Sequence, residues 1–265
     1  MSASGKPTEQ ARALRRAAAA LAIACTLCPP APAEAQRLQF AKITADDGLS
    51  GAWVPIVYQD VRGFMWFGTR RGLDRYDGYS ITNYRNVRGD SASLPDNYIE
   101  FVREDRDSVL WIGTRKGLSR YDRAHDRFVT YTIGDGQNAL SLLHAKSGIV
   151  WVGTNDGLYQ FDRKTGKSVR YAQSATLGLA GKNIANLTED RRGHIWVGTS
   201  SVGLYDLDPV SGTARRYLTS EGISTEVDVR GVIEDESGTI WAGSYRGGLA
   251  KIDPLSGTTR PTRAA

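Results

Sequence analysis

The chain has 265 residues, 40% of them hydrophobic, which is ample for one globular core. Its 34 Lys and Arg against 29 Asp and Glu give a formal charge of +5, but the basic residues are scattered and do not form a nucleic-acid footprint. Both of its cysteines lie within the first 28 residues, so the remainder has no disulfide framework and no thiolate metal site.

At the N-terminus, Lys6, Arg12, Arg15 and Arg16 precede the apolar run AAAALAIACTLC, residues 17–28, and PPAPAEAQ follows with Ala33 and Ala35 spaced for a peptidase. This is the three-part layout of a secretory signal, cut after Ala35, and the apolar run is too short to span a bilayer comfortably. Arg15-Arg16 invites a twin-arginine reading without the usual surroundings, and Cys25 after LAIA offers lipid attachment as an alternative. Without residues 1–35, Lys and Arg fall from 34 to 30, Asp and Glu from 29 to 27, and the net charge from +5 to +3. No second long apolar run follows, so no transmembrane span is expected. These features predict a periplasmic chain with a repeat domain over 36–260 and a disordered tail at 261–265.

From residue 53 onward one pattern recurs. WFGTRRGLDRYDG begins at Trp66, WIGTRKGLSRYD at Trp111, WVGTNDGLYQFD at Trp151, WVGTSSVGLYDLD at Trp196 and WAGSYRGGLAKID at Trp241, giving spacings of 45, 40, 45 and 45 residues. Periods in this range mark repeat architectures. Within the first copy, short runs rich in Val, Ile, Phe, Tyr and Trp alternate with Gly/Asp turns, which predicts strands at PIVYQ, FMWFGT, LDRY and SITNY. Asp60, Asp105, Asp190 and Asp235 stand six residues before their Trp, with Ala145 breaking the column. Gly63, Gly148, Gly193 and Gly238 stand three before it, with Ser108 the exception. An acceptor opening a turn and a Gly closing it suit a tight hairpin between the first two strands. Gly68, Gly113, Gly153, Gly198 and Gly243 follow each Trp by two, and Leu73, Leu118, Leu158, Leu204 and Leu249 open the third strand. Twelve residues before each Trp is an apolar residue: Val54, Ile99, Ala139, Ile184 and Val229.

Four strands in about 45 residues cannot bury both faces alone, but sheets packed radially can. The expected fold is therefore all-β, a β-propeller of about five four-stranded blades. Each indole is expected to be buried between adjacent sheets, with the nearby Gly allowing close approach. The repeat D-x-x-G-x-x-W-x-G-T-x-x-G-L-x-x-Y-D resembles that of the two-component regulator propeller family. The stretch 38–69, including Asp47-Gly48-Leu49-Ser50, is similar to the usual opening of such domains. The resemblance implies seven-bladed propellers, often in tandem, that form extracytoplasmic sensor regions of hybrid histidine kinases and commonly respond to carbohydrates.

The chain departs from that pattern in carrying five copies. Tyr84, Tyr131, Tyr171 and Tyr217 close the outer strands, whereas the fifth copy has Thr262 after Pro261, which lacks a ladder donor. LQFAKI, residues 38–43, alternates like a strand without a unit of its own. Either it replaces the outer strand of copy five and closes a five-bladed ring, or the chain is an open arc of an incomplete seven-bladed propeller. The arc is preferred. No nucleotide loop or receiver-like segment is visible, so autophosphorylation is not expected of these residues.

Catalytic patterns are absent. His125, His144 and His194 fall at unrelated repeat positions, and GTSSVG at 198–203 has the wrong spacing for a nucleophile elbow. The recurrence of Asp77, Asp122, Asp162, Asp208 and Asp253 points to turn capping rather than an acid/base pair, leaving a glycan hydrolase or lyase as the enzyme alternative. No metal or cofactor is expected. Binding is expected where the turns between second and third strands meet the connections between repeats. The turns present Arg70, Arg71, Arg115, Lys116, Asn155, Asp156, Tyr245 and Arg246; the connections present Trp53, Tyr98, Asn138, Asn183 and Asp228. Polar forks beside exposed rings suit a glycan or other hydroxyl-rich small molecule. A membrane signalling protein or another envelope partner, docking on the open arc's edge or on the same face, is the competing expectation.

Overall fold

The alternating runs of the five repeats become twenty strands in the computed structural model, which describes residues 41–172, 176–217, 228–245 and 247–262. Sheet 1 comprises β1 (Ile56–Gln59), β2 (Met65–Gly68), β3 (Leu73–Tyr76) and β4 (Ile81–Tyr84). Sheet 2 comprises β5 (Ile99–Glu104), β6 (Leu110–Thr114), β7 (Gly117–Asp122) and β8 (Arg127–Tyr131). Sheet 3 comprises β9 (Ala139–His144), β10 (Val150–Thr154), β11 (Gly157–Asp162) and β12 (Lys167–Arg170). Sheet 4 comprises β13 (Ile184–Glu189), β14 (Ile195–Thr199), β15 (Leu204–Leu207) and β16 (Ala214–Tyr217). Sheet 5 comprises β17 (Asp228–Glu234), β18 (Ile240–Tyr245), β19 (Gly248–Ile252) and β20 (Thr259–Thr262). Each is an antiparallel meander in chain order. The expected secretory signal, with Cys25 and Cys28, lies outside the described residues, as does Arg246. No helix among the described residues is long and apolar enough to cross a membrane.

The Trp column is mortar between sheets. Trp66, Trp111, Trp151 and Trp196 are at most 1% exposed. Each packs on the sheet that follows it: Trp66 clusters with Ile99, Leu110 and Ile112, and Trp196 with Val229, Ile240 and Ala242. The glycine two residues on makes this contact possible. A Cβ on Gly113 would come within 2.4 Å of the Ala139 carbonyl, and one on Gly153 within 2.7 Å of Ile184 Cγ2. The innermost strand of each following sheet thus lies directly against backbone.

The Asp column secures the indoles. Asp105 Oδ2 accepts from Trp111 Nε1 at 2.8 Å, while its Oδ1 accepts the Asp107 and Val109 N–H groups of the β5–β6 hairpin. Asp60, Asp190 and Asp235 hold Trp66, Trp196 and Trp241 in the same way, at 2.7–3.0 Å. Arginines from the following sheet complete two of these sites: Arg123 bonds Asp60 and Arg163 bonds Asp105. Ala145 removes the carboxylate from the third copy, and Trp151 Nε1 is left buried without a hydrogen-bond partner. Where that carboxylate would need its cation, sheet 4 carries Pro209 after its one-residue longer turn, so both members of the pair are lost together.

The sheets form an open arc. At the position nine residues before Trp, Val102, Leu142, Leu187 and Val232 are 1–6% exposed, whereas Val57 on sheet 1 is 57% exposed because no sheet among the described residues covers that side. On the far side, Ile233 and Leu249 of sheet 5 are 64% and 41% exposed, and Trp241 is only partly buried. A Cβ on Gly243 would meet nothing closer than 3.9 Å, unlike its four equivalents. The ring-closing alternative is corrected by β20, which takes the outer position of sheet 5 and pairs Thr262 with Leu249. Ala41, Lys42 and Ile43 of the expected LQFAKI strand are not in strand, and the rest of it lies outside the described residues. Pro261 is accommodated by register. In sheet 3 the Tyr171 N–H bonds the Leu158 carbonyl, which makes the equivalent 249/262 pair the bonded one. Pro261, opposite Ala250, therefore falls at a non-bonding position where no donor is needed. Positions 261 and 262 of the expected tail thus belong to β20, and 263–265 lie outside the described residues.

Two outcomes follow from this packing. Replacing Asp105 with Ala strands buried donors and unpairs Arg163, with an expected loss of about 3 kcal/mol in urea unfolding. Val57→Arg and Ile233→Arg are expected to change stability by less than ~0.5 kcal/mol, while Val102→Arg, inside a seam, prevents folding. A large loss for Val57→Arg would mean that this side is covered. On pH, burial alone would raise the carboxyls of Asp60, Asp105 and Asp190, but the Trp N–H, arginine and turn-amide bonds outweigh it and hold all three below their ordinary 3.8. Because the folded values are depressed, their contribution is full above about pH 4 and is lost as pH falls through the folded values. Acid titration of the urea midpoint should show that decline, and Asp105→Ala should flatten it.

Candidate functional site

Threonine side chains build the turn face. After each W-x-G, the buried Thr69, Thr114, Thr154 and Thr199 hydroxyls donate to the carbonyl of the glycine that ends the turn, at 2.8–3.1 Å. The same oxygens accept an N–H from within the turn, as from Arg71 at 2.9 Å and Lys116 at 3.2 Å. The turn backbone is thereby fixed while the two residues at its tip stay free to vary.

At sheets 1 and 2 these tips and the inter-repeat connections meet in a ladder. The Arg70 guanidinium lies 4.3 Å from the Trp53 ring centre and 5.5 Å from that of Tyr98, and the Arg115 guanidinium lies 3.8 Å from the Tyr98 ring centre. Trp53 is 55% exposed. Arg115 also faces Glu100 at 3.6 Å, and Lys116 faces Asp96 at 4.0 Å. Arg71 is exposed beside them. The expected residues Trp53, Arg70, Tyr98 and Arg115 thus form one continuous surface of alternating rings and cations, an arrangement worth about 0.5–1 kcal/mol per exposed pair.

Further along the arc the expected residues serve one another. Asn155 Oδ1 accepts the Asn138 N–H at 2.8 Å, and Asp156 is tied to Arg170 through its carboxylate and its carbonyl. The Asn183 carbonyl accepts the Ser200 N–H at 3.0 Å. Asp228 accepts from Arg230 at 2.7 Å. Tyr245, at the end of β18, is 62% exposed.

Two charged residues escaped the sequence reading. Each innermost strand of sheets 2–5 breaks register once, skipping Glu100 in β5, Leu140 in β9, Ala185 in β13 and Arg230 in β17. A bulge re-aims the extra residue, and the Arg230 charge of sheet 5 acts on Glu100 of sheet 2. The signal was present: these residues all stand eleven before their Trp, directly after the buried apolar position. Burial pushes the Glu100 carboxyl up, with Arg115 and Arg230 opposing.

A separate acidic group carries no metal reading. Ligand atoms of Asp105, Asp107 and His144 lie within 4.8 Å of one another, but Arg163 bonds both carboxylates. The repeated Asp122, Asp162, Asp208 and Asp253 accept N–H bonds within their own turns, and the last three a hydroxyl as well, as the capping reading expects.

Comparison with known proteins agrees with the repeat. The family model for the two component regulator propeller matches residues 93–116 and 178–201, so the second and fourth copies match that family's repeat. A histidine kinase P4 of Formosa agariphila is 44% identical over 55 residues, which is 21% of this chain and 4% of that one. The extracellular domain assigned to a hybrid two component system of B. thetaiotaomicron superposes with a TM-score of 0.72 at 26% identity, over 83% of this chain and 31% of that domain. This chain therefore spans about a third of the length of that structure. A virginiamycin B lyase from Staphylococcus aureus aligns at TM-score 0.59 and 12% identity over 79% of this chain and 70% of that one, a likeness of fold alone.

Because the Glu100 carboxyl is raised, the folded state favours its protonated form, and this residue's contribution weakens as pH rises from about 4 through the raised value. Thermal melts at pH 4 and pH 7 should show Glu100→Gln gaining on the wild type at the higher pH. No difference between the two pH values would remove Glu100 from the buried-charge account.

Proposed function

We propose that this chain is a non-catalytic, extracytoplasmic sensor propeller of a two-component signalling system, which binds a carbohydrate or other hydroxyl-rich ligand on the turn face of its first two sheets. The observation that carries the reading is the Trp53–Arg70–Tyr98–Arg115 ladder. The exposed Trp53 ring offers stacking to the apolar face of a sugar, and the guanidinium N–H groups beside it orient its hydroxyls. The sensor role and the extracytoplasmic location are supported by the family repeats and by the extracellular domain from B. thetaiotaomicron. The secretory layout of residues 1–35 agrees with that location. Against a hydrolase or lyase stands the use of the repeated carboxylates, which are consumed by turn amides, indoles and arginines.

A docking scaffold is the second reading, favoured by the uncovered apolar sides at Val57 and Ile233. The two differ in where they act. Calorimetry against an oligosaccharide panel is expected to find a ligand whose affinity falls at least tenfold, about 1.4 kcal/mol, in Tyr98→Ala and in Arg115→Ala. Flat titrations across the panel, together with capture of an envelope protein that Val57→Arg abolishes, would replace the sensor reading with the scaffold.

A further inference from the structure

The seams between sheets 1 and 2 and between sheets 2 and 3 are built alike, except for one polar plug. In the first seam, Arg75 donates to the Tyr121 hydroxyl at 2.6 Å and faces Asp126 at 3.5 Å. Asp126 in turn accepts from Tyr84 at 2.6 Å and from Tyr121. A guanidinium, two phenols and a carboxylate fill the space behind Trp66.

Repeat register places Arg120 where Arg75 stands, nine residues after Trp, and Tyr131 where Tyr84 stands, opposite the Leu of the third strand. The Tyr121 position is taken by Phe161 and the Asp126 position by Gly166, both of the latter pair lying in the left-handed region at φ 51° and 71°. The aromatic frame survives: Trp111 lies 5.9 Å from Tyr131 and 5.6 Å from Phe161. Both acceptors of the guanidinium are gone. Arg120 Nε is buried with no hydrogen-bond partner among the described residues, and a half-open cavity of about 870 Å³ lies in this seam, lined by Trp111, Arg120, Tyr131, Gln160 and Phe161. Lys164 and Lys167 stand at its mouth. Asp162, also at the mouth, is engaged by the Lys164 N–H and the Thr165 hydroxyl of its own turn, at 2.8 Å each. The cavity opens on the side of the hairpins at 148–149 and 162–165, opposite the turn face, so it is independent of the ligand surface proposed above.

We propose that this cavity binds a sugar acid, a hexuronate-sized ring bearing one carboxylate. The carboxylate takes the place that Asp126 fills in the neighbouring seam and pairs with Arg120, which a planar guanidinium does in bidentate fashion. The ring hydroxyls take the place of the missing phenol and meet Gln160, while the ring body lies against Trp111, Tyr131 and Phe161. The volume is within the range of small-molecule sites, and the lysines at the mouth attract an anion.

The test is titration of the full chain with D-glucuronate, read by tryptophan fluorescence and calorimetry, with D-glucose as the uncharged control. Saturable binding of glucuronate and at least tenfold weaker binding of glucose are expected. Arg120→Gln should weaken glucuronate at least tenfold. Phe161→Tyr hands Arg120 the phenol that Arg75 already has, and should block the site while keeping or raising the melting temperature. The proposal is overturned if glucuronate gives no saturable response, if glucose binds as well, or if folded Arg120→Gln binds as the wild type does.

Discussion

The indole against a bare glycine is the contact on which this molecule rests. Each of the first four Trp spans the space to the next sheet, and the glycine two residues on removes the one side chain that would hold that sheet away. Large and null side chains at fixed separation set the distance between sheets, as close packing demands. The aspartate six residues earlier serves two ends at once, closing a hairpin through its amides and fixing the ring through Nε1. Ala145 shows the dependence in reverse: with the carboxylate gone, the Trp151 donor is orphaned although the ring remains buried.

Because the seams carry the stability, the edges of each sheet are free for other work. Buried threonines fix the turn backbone on one side of the arc, so Arg70, Arg71, Arg115 and Lys116 vary in identity without cost to the fold. The bulges that let each inner strand curve also throw Glu100 and Arg230 out of the ladder. On the opposite side, loss of one phenol and one carboxylate between adjacent seams converts a filled joint into a cavity without disturbing the aromatic frame around it.

The strands, their order and their register were legible in the sequence because a four-stranded meander repeats its chemistry at every position. LDRY is β3 residue for residue, PIVYQ and SITNY each run one residue past the start of their strands, and FMWFGT runs one residue past both ends of β2. Trp53, Arg70, Tyr98 and Arg115 were among thirteen residues named from position, since turns and connections must emerge together; that these four share one surface came from the structure. Sheet 5 was misjudged because Pro261 was weighed as a lost donor, which depends on whether its register position bonds at all. Glu100 was missed because a bulge is a tertiary accommodation that shows no special residue type.

What the sequence settled by itself is therefore everything that depends on periodicity: sheet content, the buried columns, and which turns share a side. Only the tertiary structure decided which faces lack a neighbour, which arginine keeps its partners, and which residues leave the ladder. Those outcomes depend on pairs drawn from different repeats, Arg75 with Tyr121 and Asp126 against Arg120 with Phe161 and Gly166. A pairwise contact between sheets has no signature within either copy alone.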